Sequence, residues 1–77
     1  MKIYLKLSPV GEPVISYSIG STTISRHFNL KNLDKVLHEF DNIEEIVFVK
    51  SNEPYVKQYE QRIQGYLGNK NIKFSRA

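Results

Sequence analysis

The chain has 77 residues, 40% of them hydrophobic and 25% charged, a composition typical of one small globular domain over residues 1–77. It contains no cysteine, which excludes disulfide bonds and thiolate chemistry and suits a reducing compartment. No apolar run approaches the roughly 20 residues that span a bilayer, and the first residues lack the features of a secretory signal. We therefore expect a cytoplasmic protein with no membrane partner.

The formal net charge of +3 is unevenly distributed along the chain. Residues 50–77 carry six basic and two acidic side chains, whereas residues 1–49 carry five basic and six acidic ones. An anionic partner would therefore bind to the C-terminal third.

Three segments at the start of the chain predict an antiparallel meander of strands. Residues 2–7 alternate apolar and polar side chains, which is typical of a half-buried strand. A loop with two prolines over residues 8–13 leads to a second strand over 14–19, and Gly20-Ser21 turns the chain into a third strand over 22–28. The residues expected on the buried face of the first two strands are Ile3, Leu5, Leu7, Ile15, Tyr17 and Ile19.

A helix should follow, because Leu30, Leu33, Leu37 and Phe40 recur at helical spacing after Asn29, a suitable N-cap. Residues 46–49 are four consecutive apolar residues, which predicts a strand that is buried on both sides in the middle of a sheet. A helix between the meander and this strand implies a crossover connection, so we expect the strand to lie parallel to the first one.

A second helix is predicted from Pro54 to Leu67, capped by Asn52 and ended by Gly68 in a left-handed conformation. It should bury Val56, Tyr59 and Ile63 with either Tyr66 or Leu67, and residues 72–75 can form a last short strand. The predicted fold class is thus α+β, a mixed sheet of about five strands in the order β-β-β-α-β-α-β with two helices packed on it.

This order of elements resembles the first part of the ribonuclease H-like fold. Lys2-Ile3-Tyr4, followed by a Gly/Pro loop and residues 14–17, resembles the opening hairpin of that family. Residues 46–56 resemble its fourth strand and the helix after it. The resemblance implies a ribonuclease H-like architecture and raises the alternative of a residual metal-dependent nuclease.

The sequence departs from that family at the positions that would hold metal. Its nucleases bind two magnesium ions through carboxylates, but the first strand here offers Lys6, the start of the first helix Lys31 and the end of the fourth strand Asn52. His27 and His38 show no regular ligand spacing. We therefore expect no enzymatic activity, no metal and no cofactor.

Binding remains as the expected function, and the candidate residues are aromatic or basic. They are Tyr55, Lys57 and Arg62 on the second helix, Lys70, Lys73 and Arg76 after it, and Tyr4 and Lys6 on the outward face of the first strand. A structural interpretation competes on the second helix, where the tyrosines can be core residues and the cations simply solvated. If both helices pack on one side, the other sheet face, with Tyr4, Lys6, Val14, Thr23 and His27, is a natural docking surface.

Two functional hypotheses follow. The first is a small protein-binding module of the kind that phages and mobile elements make to inhibit or modulate a host protein, acting through its sheet face or edge. The second is a nucleic-acid-binding domain that uses the basic C-terminal third. An unprotected sheet edge would also permit a homodimer.

Overall fold

The computed structural model describes residues 1–7, 13–68 and 71–77. Its strands are β1 (Lys2–Lys6), β2 (Val14–Ile19), β3 (Thr22–His27), β4 (Glu45–Phe48) and β5 (Lys73–Arg76), and its helices are α1 (Leu33–His38) and α2 (Glu53–Leu67). The five strands form one mixed sheet in the order β3-β2-β1-β4-β5. The predicted α+β class and the order of elements are confirmed, while residues 8–12 of the loop predicted over 8–13 lie outside the described residues.

The antiparallel meander and the parallel pairing of β1 with β4 are as predicted, but the strand at the centre of the sheet is not. β2 pairs antiparallel with both β1 and β3, and β4 pairs parallel with both β1 and β5. The centre of the sheet is therefore β1 rather than β4, because β5 is the only described strand beyond β4.

Both helices pack on one face of the sheet. Their buried side chains are Leu33 and Leu37 from α1 and Val56, Tyr59 and Ile63 from α2. These form a single core cluster with alternate strand residues, among them Ile3, Leu5, Ile15, Ile46 and Phe48. The apolar residues that alternate along β1 and those that recur at helical spacing along α2 thus pack together in one apolar layer.

Val47 confirms the prediction that β4 is buried on both faces of the sheet. It is only 4% exposed, yet it does not belong to the cluster beneath the helices. Its neighbours in the register, Tyr4 and Ser75, lie on the face away from the helices. Val47 is therefore buried on a face that no described helix covers, between residues of the two neighbouring strands.

The first helix is shorter than predicted. Residues 30–32 form a 3₁₀ turn, in which the Asn29 side chain accepts a hydrogen bond from the Lys31 N–H at 3.0 Å, and only Leu33–His38 is α-helical. The predicted cap is therefore confirmed, although it starts a 3₁₀ turn. Asn42 has φ 56°, and this left-handed residue turns the chain toward β4.

The second helix agrees closely with the sequence at its C-terminus. Gly68 has φ 61°, and its N–H bonds the Gln64 carbonyl at 2.9 Å, as a left-handed C-terminal glycine should. At the other end the predicted side-chain cap is absent: the Asn52 side chain makes no capping hydrogen bond, although its backbone carbonyl accepts the Tyr55 and Val56 N–H groups as an N-cap carbonyl does. Neither described helix is both long and apolar enough to cross a lipid bilayer.

One predicted core residue is at the surface. Ile19 is 59% exposed, since it lies at the tip of the β2–β3 hairpin next to the turn. Tyr17, two residues earlier, is half-buried and packs edge-on against Phe40, with the ring centroids 4.7 Å apart. The helix layer therefore ends before the hairpin does.

At the end of α2, Leu67 is half-buried while Tyr66 is 36% exposed, so Leu67 is the residue that joins the core.

Candidate binding surface on the open sheet face

The strands place a second set of side chains on the sheet face opposite the helices, which we call the open face. The register assigns to it Lys2, Tyr4, Lys6, Val14, Ser16, Ser18, Thr23, Ser25, His27, Glu45, Val47, Lys73 and Ser75. Within the described ranges both helices lie on the other side, so these side chains form the outer surface of the sheet.

A row of charges crosses three strands of the open face. Lys2 of β1 and Lys73 of β5 both pair in register with Glu45 of β4, and the Lys2 ammonium lies 3.8 Å from the Glu45 carboxylate. The Ser75 hydroxyl also donates a hydrogen bond to this carboxylate. That hydrogen bond, followed by the charges of the two lysines, holds the pKa of Glu45 below its usual value. Glu45 is therefore ionised and already bound within the sheet.

Tyr4 occupies the middle of the open face, on the central strand. It is half-buried, and the Lys2 ammonium lies 5.6 Å from the centroid of its ring, within the range of a cation–π contact. Beside it, the Ser16 and Ser25 hydroxyls share a hydrogen bond of 2.8 Å that joins β2 to β3. The centre of the face thus combines one aromatic ring with small neutral side chains.

A groove of about 460 Å³ runs beside Tyr4. Its lining residues are Tyr4, Lys6, Val14, Ser16, Thr23 and Val49. Lys6 is exposed and forms no ion pair with any described residue, whereas the two valines contribute apolar surface to the lining. Such a mixture suits an apolar side chain that arrives with polar or charged neighbours.

The carboxyl ends of the parallel strands β1 and β4 are held together by a serine. The Ser51 hydroxyl accepts a hydrogen bond from the Leu7 N–H at 2.9 Å and donates one to the Leu5 carbonyl at 3.4 Å. Asn52 is exposed, and the next residue, Glu53, forms an ion pair of 2.8 Å with Arg76. In the part of the chain that the structure describes, no three His, Asp or Glu side chains are grouped so as to hold a metal ion.

The predicted binding residues on α2 divide into two groups. Tyr55 stacks on Tyr59 with ring centroids 6.2 Å apart, and the Arg62 guanidinium lies 5.4 Å from the Tyr59 ring. Lys57 precedes Arg62 by five positions and is therefore turned about 140° from it around the helix. Because Tyr59 is only 6% exposed, the aromatic pair belongs mainly to the core.

The basic residues of the C-terminal third do not form one surface. Lys73 is on the open face, Arg76 lies on the helix side beside Glu53, and Lys57 is exposed on α2. Lys70 lies outside the described residues. Of the predicted set, the structure brings Tyr4 and Lys6 together in the groove, and it adds Val49, which the sequence had suggested was part of a buried strand.

The sheet also has two edges without a strand partner in the described part of the chain. β3 and β5 are the outer strands. Dimerisation through one of them stays a prediction.

No known protein family, no curated protein and no solved structure matches the chain.

Proposed function

We propose that the chain is a small non-catalytic binding module that binds a protein partner through its open face. The observation that supports this most directly is the groove beside Tyr4, which is lined by apolar and polar side chains on a sheet face that no described helix covers. Protein interfaces have this composition, with an apolar centre and a polar rim. The partner's side chain would occupy the groove between Tyr4, Val14 and Val49.

A nucleic-acid partner is the second candidate, and the lysines of the open face are the observation that favours it. Surfaces that bind single strands normally present several aromatic rings on which successive bases stack. On the open face the described strands place one tyrosine, Tyr4, and one imidazole ring, that of His27, and the Lys2 ammonium lies over the Tyr4 ring. We therefore place a protein partner first.

The proposal extends to the architecture and the origin of the chain. The order of elements, the antiparallel meander and the parallel pairing of β1 with β4 are what a ribonuclease H-like fold would require, and we propose that classification. Modulation of a host protein by a phage or mobile-element product fits a small module of this kind, and it stays a prediction. If a residual nuclease activity existed, magnesium or manganese would produce cleavage of RNA or DNA that Asn52→Ala removes.

Site-specific photo-cross-linking tests the binding surface. A benzoylphenylalanine residue replaces either Lys6, on the open face, or Lys57, on the outer side of α2, and each variant is irradiated in the native host. We expect a discrete protease-sensitive adduct from position 6 and none from position 57, because only position 6 lines the groove. An adduct from position 57 alone would refute the proposed surface, and a nuclease-sensitive adduct from position 6 would favour the second candidate.

A further inference from the structure

The charged residues on the two faces of the sheet differ in whether they have partners of opposite charge. The described strands carry five Lys or Arg side chains and a single carboxylate, Glu45. The two arginines lie on the helix side, and each has an acidic partner there, Arg26 with Glu39 and Arg76 with Glu53. Every strand arginine on the helix side is thus neutralised from the helix layer.

The three lysines all lie on the open face, where this neutralisation is incomplete. Lys2 and Lys73 share Glu45, which also accepts the hydrogen bond from Ser75. Lys6 lies at the groove and has no ion-pair partner among the described residues. The open face therefore carries an excess of positive charge around an apolar groove.

From this asymmetry we propose that the protein partner binds as an acidic segment, with Asp or Glu side chains beside Lys6, Lys2 and Lys73 and one apolar side chain in the groove. The inference rests on the proposed function and adds the chemistry of the partner. Complementary charge gives specificity and a faster encounter, while the apolar groove supplies contact area.

A second copy of this chain would not provide an acidic surface for the open face. Two open faces brought together would oppose Lys6 and its neighbouring lysines to an identical set, and like charges at an interface are unfavourable. The carboxylates that could attract another copy are partly engaged, since Glu39 and Glu53 already bind arginines of their own chain. A distinct acidic protein segment is the better match.

Selection from a random 12-residue peptide display library tests the inference, with the full chain immobilised as the target. We expect the selected peptides to be enriched in Asp and Glu around at least one aliphatic or aromatic residue. The matched variants are Lys6→Glu, on the open face, and Lys57→Glu, which makes the same charge change on an exposed lysine of α2. Circular dichroism of each variant checks that it is folded.

The affinity of the selected peptides for Lys6→Glu should be about fivefold to tenfold weaker than for the wild type, because one exposed attraction becomes a repulsion of similar size. Lys57→Glu should leave the affinity unchanged, and raising the salt concentration should reduce the difference between the variants.

Each other outcome contradicts a defined part of the argument. Selected peptides without an excess of acidic residues, whose binding still depends on Tyr4, would overturn the acidic partner and leave the open face as the binding surface. A dT12 oligonucleotide that binds the open face more tightly than the peptides would replace the protein partner by nucleic acid. Peptides that respond to Lys57→Glu but not to Lys6→Glu, or no enrichment at all, would overturn both proposals.

Discussion

Ser51→Ala should destabilise the protein by disconnecting the ends of two parallel strands. The Ser51 hydroxyl is the acceptor for the Leu7 N–H at 2.9 Å, and it is partly buried. Its second contact, to the Leu5 carbonyl, is longer at 3.4 Å, and that carbonyl also accepts the Val49 N–H at 2.8 Å. Ser51→Ala should therefore leave the Leu7 N–H without a hydrogen-bond partner, whereas the Leu5 carbonyl keeps its bond from the Val49 N–H.

The expected magnitude follows from the burial of this group. A buried donor left without a partner costs about 1–3 kcal/mol, and partial access of water puts Ser51→Ala at about 1–2 kcal/mol. A domain of this size has a free energy of unfolding of roughly 4–12 kcal/mol, so the change removes a substantial fraction. The midpoint of thermal unfolding should fall by about 4–16 °C.

Ser16→Ala provides the matched control, because it also removes a serine hydroxyl from a hydrogen bond between two segments. Its hydroxyl bonds Ser25 on the open face, where water can replace it, so the free energy of unfolding should change by less than about 0.5 kcal/mol. Urea unfolding followed by circular dichroism measures both variants, and hydrogen exchange reports on the Leu7 amide. Equal stabilities for the two variants, with unchanged protection of Leu7, would refute this account of Ser51.

Two further predictions concern ionisation and backbone conformation. The pKa of Glu45 is lowered in the folded protein, so its ionised form stabilises the fold above its ordinary pKa of 4.5 and this contribution is lost as the pH falls. When the pH falls from about 5 to about 3, the free energy of unfolding of Glu45→Gln should therefore decrease less than that of the wild type. Urea unfolding at each pH measures this, and an equal decrease for both proteins would contradict the hydrogen bond from Ser75 to Glu45. Gly68→Ala should destabilise by about 1 kcal/mol because Gly68 has φ +61°, whereas Gly65→Ala, in the interior of α2 with open space around its Cβ position, should stabilise by about 0.5–1 kcal/mol. Thermal unfolding of both variants checks the opposite signs, and the same sign for both would contradict the assigned backbone.

Much of the fold could be predicted from local patterns, because these patterns have a single structural solution. The alternation in β1 assigned Leu5 and Lys6 to opposite faces, and Gly68 marked the end of α2. The crossover rule gave the parallel pairing of β1 with β4. These predictions needed no knowledge of distant contacts.

The remaining features depend on contacts between segments that are far apart in sequence. Val47 belongs to an apolar run that looks the same whether a second layer or neighbouring side chains cover it. The approach of Lys73 to Glu45 follows from the register between β4 and β5, which no short motif encodes. The groove is likewise a product of register, since Val14 lies in β2 and Val49 directly follows β4, and these strands flank β1 on opposite sides.

The charge pattern of the open face is more than folding requires. A sheet face in contact with water needs polar side chains, but where no charged residue lies opposite, the sign of the charge matters little to stability, because even exposed ion pairs contribute only about 0–1 kcal/mol. An acidic residue would have been solvated equally well at the β1 position of Lys6, which has no ion-pair partner among the described residues, whereas at position 2 it would repel Glu45. A bias toward one sign on one face, beside an apolar groove, is instead what recognition of an oppositely charged surface requires. The charge of Lys6 is thus the part of this pattern that the fold does not require and that the proposed acidic partner would use.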